Sequence, residues 1–226
     1  TLPLQVIDVA NPRQPKVIGN LEDDMQAQGF DHLYYAHEAW PSPDGTRLYL
    51  GGQIPTDQQT WVLDINGWPK RQARVLGTTD RAGHSIRTAT INGRKYLLSS
   101  DETVANPFAK GCLPEDLSPL GGASQPYLTD ITNERALKVV SKFRLAINEP
   151  TNCVQQTLDY TNNSVHYQDV DDPNDTTFGL FSMWNSGLRI VDLRNPKKMR
   201  EVAYFNSGRF QFKTLRQRLD APTPFS

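Results

Sequence analysis

Cysteine is scarce in this chain: only Cys112 and Cys153 occur among 226 residues. Two are too few for a disulfide scaffold, and they lack the C-x-x-C spacing of a redox or zinc-ribbon site. Both sit in loop-like text, which leaves open one disulfide in an oxidising compartment or two unpaired thiols. No run of about 18 apolar residues occurs, so no transmembrane helix is expected. An excess of charge of one sign is also missing. The 24 basic and 25 acidic side chains give a formal net charge of −1, which argues against nucleic-acid binding through bulk positive potential. There is no G-x-S-x-G elbow and no Gly-rich phosphate loop. The pairs Gly51-Gly52 and Gly121-Gly122 read as turns. Convincing helical periodicity is hard to find anywhere.

What is present is a turn-rich β text. Fifteen glycines and 16 prolines are scattered among apolar runs, and 37% of the residues are hydrophobic. That is enough for a sizeable core and unlike a disordered chain. One phrase recurs. Leu4-Gln5-Val6-Ile7-Asp8-Val9 runs into Ala10-Asn11-Pro12, and Leu188-Arg189-Ile190-Val191-Asp192-Leu193 runs into Arg194-Asn195-Pro196. Weaker copies are Trp61-Val62-Leu63-Asp64-Ile65-Asn66 and Tyr127-Leu128-Thr129-Asp130-Ile131-Thr132. The aspartates Asp8, Asp64, Asp130 and Asp192 thus recur every 55 to 65 residues or so, somewhat above known blade periods. Each copy reads as two antiparallel strands, with a buried Asp whose carboxylate accepts backbone N–H groups and fixes the reversal.

Ahead of three copies lies another hairpin. Its first strands begin at His37, His84 and Val165-His166, and Pro43-Asp44-Gly45 and Asn92-Gly93 mark two of the turns. Two hairpins per repeat make a four-stranded sheet, and successive sheets of this kind predict an all-β propeller of antiparallel blades. The expected division is a partial propeller over 1–208: a half blade at 1–30, then blades at 31–80, 81–147 (with an insertion at 101–125) and 148–208. Residues 209–226 read as a tail. Three and a half blades, about 14 strands, leave a ring open. The expectation is therefore a larger ring, completed by the same or another chain. The insertion carries Cys112 and a second loop near 148–163 carries Cys153, so a disulfide would tie two loops on one face.

The phrases LQVIDVANPRQPKVIG and LRIVDLRNPKKMREVAYF, with VHYQDVDDP and SMWNSG before the second, resemble the LVIVD repeat of secreted bacterial β-propellers. The resemblance covers most of the chain and is weakest over 101–125. It implies the propeller fold and a periplasmic, cell-surface or extracellular location, and little about chemistry.

His37, His84 and His166 hold equivalent places at the start of presumed channel-lining strands. Converging imidazoles could hold one transition metal (copper, iron or zinc), with Glu38, Asp101 and Glu102 as further ligands or ring-orienting groups. The other reading makes the histidines repeat markers that hydrogen-bond the neighbouring blade. Trp40 and Trp184, with Arg87, are candidate ligand-binding residues near the channel strands. The acidic run Asp169–Asp175 lacks the glycine and glutamate of an EF-hand loop and reads as a solvated turn rather than a calcium site. Two functions follow. One is a binding or scaffold module that meets a protein or small molecule through its channel-mouth loops. The other is a metal-dependent oxidoreductase, loosely similar to selenium-binding-type propellers.

Overall fold

The structure, a computed structural model, describes residues 4–30, 36–52, 60–79, 83–100, 125–149, 152, 163 and 165–206. Asp101, Glu102, Cys112, Cys153 and the tail 209–226 lie outside the described residues. The first hairpin pairs β1 (Gln5–Asp8) with β2 (Lys16–Asn20). Three four-stranded antiparallel sheets follow, each a meander in chain order. The first holds β3 (Ala36–Pro41), β4 (Arg47–Gly52), β5 (Thr60–Asp64) and β6 (Arg74–Thr79). The second holds β7 (Ser85–Ile91), β8 (Arg94–Ser100), β9 (Pro126–Asp130) and β10 (Lys138–Lys142). The third holds β11 (Val165–Val170), β12 (Phe178–Met183), β13 (Gly187–Asp192) and β14 (Arg200–Phe205). No helix among the described residues is long and apolar enough to cross a membrane.

Strand text explains how the sheets stack. Strands such as Arg47–Gly52 and Arg94–Ser100 are apolar on consecutive residues rather than alternate ones, because both of their faces are covered. Tyr49 and Val62 of the first sheet pack against Ile86, Leu97 and Ile131 of the second. On the opposite face of the second sheet, Leu98 and Leu128 pack against Phe181, Met183 and Val191 of the third. Leu97, Leu98, Leu128 and Phe181 are fully buried, and burying each such side chain contributes about 1.5–3 kcal/mol.

Beside a 3-10 turn at Ala146–Asn148, one short α-helix among the described residues, α1 (Leu21–Gln26), departs from the all-strand expectation. Asn20 caps it, its Oδ1 accepting from Glu22 N at 3.1 Å, and Glu22, Asp23 and Asp24 fill the first turn. Six residues are too few to display an apolar periodicity. The helix is held by the first sheet: Asp24 Oδ2 accepts from Trp68 Nε1 and Ala73 N, while Met25 and Leu21 join the cluster of Leu50 and Leu63.

The four repeat aspartates act alike. Oδ1 of each accepts the backbone N–H two residues on: Ala10 to Asp8 at 2.8 Å, Asn66 to Asp64 at 3.0 Å, Thr132 to Asp130 at 2.9 Å and Arg194 to Asp192 at 3.0 Å. In three copies an arginine takes the other oxygen, Arg74 on Asp64 and Arg94 on Asp130 at 2.6 Å, and Arg194 on Asp192 at 2.7 Å. The expectation of a buried carboxylate needs correction at Asp8, which is exposed because the β1–β2 hairpin has no further strand of its own sheet beside it among the described residues. Asparagines repeat the device one turn later, with Asn11, Asn133 and Asn195 accepting from Arg13, Arg135 and Lys197.

Candidate functional site

The first strands β3, β7 and β11 are edge strands of their sheets, and β7 contacts both of the others. That adjacency lets residues at the same place in the repeat meet. His37 is the second residue of β3, His84 immediately precedes β7, and His166 is the second residue of β11. Gly51 and Gly83 permit the approach, since a Cβ on either would collide with the backbone of the other.

The three imidazoles form a column. Ring centroids lie 3.8 Å apart for His37 and His84, tilted by 30°, and 5.2 Å apart for His84 and His166, tilted by 34°. Backbone carbonyls orient two of them: His37 Nδ1 donates to His84 O at 2.7 Å, and His84 Nδ1 donates to His166 O at 2.9 Å. A carbonyl can only accept, so both rings carry a proton on Nδ1. Each bond joins one sheet to the next. His84 is buried, whereas His37 is exposed. Among the described residues no group of three or more His, Cys, Asp or Glu side chains is arranged to hold a metal ion.

Aromatic rings extend the column outward. The Trp184 ring stacks on His166 with centroids 4.3 Å apart, and Tyr167 lies 4.2 Å from His166. Trp184 and Tyr167 are each 46% exposed, a large apolar area for side chains held in place by ring contacts.

Beside the column, Arg87 is gripped by all three first strands. Its guanidinium lies 4.0 Å over the Trp40 ring, its Nη1 donates to Glu38 Oε1 at 2.7 Å, and its Nε stands 3.6 Å from Asp169 Oδ1. Glu38 Oε2 accepts from Ile86 N at 2.6 Å. Both carboxylate oxygens of Glu38 therefore serve β7, which is where the structure places this candidate ring-orienting group. Gln168, buried on β11, donates to Ser85 O at 2.8 Å and Leu98 O at 2.7 Å. Its Oε1 and the Arg87 Nε are buried without hydrogen-bond partners among the described residues.

Sequence reasoning named His37, His84, His166, Glu38, Trp40, Arg87 and Trp184; the structure brings the three histidines together with Trp184 and sets Arg87 against Glu38 and Trp40, the latter the fifth of the six residues of β3. Sequence reasoning named Asp169 only as part of the acidic run and missed Tyr167 and Gln168. The signal was the alternation of β11, where exposed Tyr167 and Asp169 flank buried Gln168. The acidic turn after β11 is occupied internally: Asp171 accepts from Thr177 N and Phe178 N, and Asp172 accepts from Asn174 N. No known protein family matches the chain, and no curated protein matches it significantly.

Proposed function

We propose that the three four-stranded sheets are consecutive blades of a β-propeller of the LVIVD-repeat kind, exported to the periplasm or cell surface. The molecule would act as a binding module whose ligand surface lies at the histidine end of the first strands. Three features support the ring. First strands adjoin in the order β3, β7, β11, the Asp turn recurs in every copy, and one interface pattern is used twice. The apolar pairs Tyr49–Val62 and Leu98–Leu128 are buried by the next sheet, while their counterparts Leu180 and Ile190 on the third sheet keep partial exposure. A further sheet of the same repeat, from the same or another chain, is the natural cover for them.

The observation that carries the binding role is the half-exposed pair Trp184 and Tyr167, packed on His166 at 25° and 47° to its ring, with a fixed cation, Arg87, on the neighbouring strand. Rigid aromatic surface of this kind favours a ring-bearing ligand, because little side-chain entropy is lost on binding. Saturation-transfer NMR with a set of aromatic and sugar fragments tests the reading. Fragments should bind the parent protein and lose their signal with Trp184→Ala; unchanged signals with Trp184→Ala and Tyr167→Ala would sink it.

A metal-dependent oxidoreductase is the second reading. It is favoured by the Nδ1 anchoring of His37 and His84 on backbone carbonyls, the arrangement that commonly orients metal-ligating imidazoles. Elemental analysis of natively purified protein decides it: stoichiometric copper, iron or zinc that is lost in His84→Ala and His166→Ala supports a metal centre, and metal-free protein removes it.

A further inference from the structure

We propose that a cleft between the first two sheets binds a phosphate monoester. It lies at the opposite end of the strands from the histidines, where β4, β6 and β8 begin and where β5 ends. Its volume is about 700 Å³, and Arg47, Arg74, Arg94, Lys95 and Arg135 line it together with Asp64 and Glu134. Five cations in one cleft are a marked concentration for a chain whose net charge is −1.

Ion pairing divides these cations into two sets. Arg47 Nε donates to both oxygens of Glu134 at 2.9 Å, tying β4 to the turn between β9 and β10 and so fixing the two walls. Arg74 pairs with Asp64, and Arg94 with Asp130. Lys95 and Arg135 are exposed and stand in no ion pair among the described residues. Lys95 also feels the Asp44 carboxylate, but neither cation holds a carboxylate in contact, so both are available to the negative charges of a phosphate monoester near neutral pH. The side chains of Arg74 and Arg94 are 55% and 58% exposed. Each guanidinium offers five N–H donors, so the fork that holds its aspartate keeps others for a ligand. Donors arriving from two sheets and a turn suit the several oxygens of a phosphate better than one planar carboxylate. The repeat Asp turn acquires a use here beyond folding, because it presents Arg74 and Arg94 at the cleft rim.

Calorimetric titration with inorganic phosphate and pyrophosphate at low ionic strength tests the site, which is independent of the aromatic pair. The parent protein should bind one equivalent, more weakly as salt rises. The double variant Lys95→Ala/Arg135→Ala should lose at least about tenfold in affinity, with an unchanged melting temperature because neither side chain is buried or paired. The control variant Lys197→Ala/Lys198→Ala, on the third sheet's turn, should bind like the parent. Parent-like affinity in the Lys95/Arg135 variant overturns the proposal, as does an equal loss in the control. Citrate binding as tightly as pyrophosphate overturns the assignment to phosphate.

Discussion

Replacing Gly51 by alanine tests how closely the first two sheets must approach for the histidine column to form. A Cβ at this position would overlap the Gly83 carbonyl oxygen and stand 2.6 Å from its carbonyl carbon, where ordinary contact begins at 3.4 Å. The backbone at Gly83 would have to retreat by roughly 1.5 Å. No flexible side chain can absorb that movement, since the obstructing atoms are main chain. Overpacking of this kind costs about 1–3 kcal/mol. The same retreat strains the Gly83 N to Gly52 O bond at 3.2 Å and the His37 to His84 O bond at 2.7 Å, and loss of one bond adds about 1 kcal/mol. The sum, about 2–4 kcal/mol, corresponds to a fall in melting temperature of roughly 5–15 °C for a domain of this size. Thermal unfolding followed by circular dichroism and tryptophan fluorescence measures it. Gly93→Ala is the comparison: Gly93 has φ +74° and a methyl added there would meet nothing within 4 Å, so only backbone strain of about 1 kcal/mol is expected. A Gly51→Ala protein that melts within a degree of the parent would refute the close-approach reasoning.

Phe181→Ala should cost about 3–5 kcal/mol, since this fully buried ring fills the space between the second and third sheets; a melting temperature near that of the parent would contradict the packing. Acid should weaken the fold in a defined window. The hydrogen bonds from Arg194 hold the Asp192 carboxyl well below the usual range, and the hydrogen bond from Arg74 lowers that of Asp64. At Asp130 burial pushes upward but the bonds from Thr132 and Arg94 outweigh it, and hydrogen bonds from Ser42 and Thr46 bring Asp44 down to about 2. Because these folded-state values are depressed, their stabilisation is complete above the unfolded carboxylate pKa of about 3.9 and is lost as pH falls through the folded values. Melting temperature should therefore drop steeply below about pH 4, and less steeply in Asp64→Asn/Asp192→Asn; parallel curves would show that these turns do not set the acid limit. Trp184→Ala should remove a ring-current shift from the His166 ring protons in proton NMR while costing only about 0.5–1.5 kcal/mol; unmoved His166 resonances would mean the stack is not populated.

Much of the architecture was readable because its signals are local. Asn92-Gly93, with φ of 51° and 74°, marks a tight hairpin that its dipeptide announces without help from elsewhere. The Asp8, Asp64, Asp130 and Asp192 turns are equally local, each closed by a hydrogen bond to a residue two positions on. Helix α1 escaped notice because its stability comes from Trp68, Ala73 and Leu50, residues far along the chain. The histidines were found by their repeat position, but their stacked geometry was not foreseen. Repeat position says that three rings share a level and says nothing of whether they converge on a point or lie one on another. Tyr167 and Gln168 were overlooked because their importance arises only from the packing of β11 against β7.

By itself, the sequence determined the elements: where strands run, where they reverse, and which residues recur in each repeat. Those outcomes depend on backbone preferences and on bonds spanning two or three residues, so no distant partner is required. Tertiary structure alone decided the sites. The order in which first strands adjoin brought Trp184, Tyr167 and Arg87 around the histidine column. The seating of the second sheet's turn against Arg47 enclosed the cationic cleft. Both depend on which sheet faces meet, and the apolar residues that drive that meeting are chemically alike on every face.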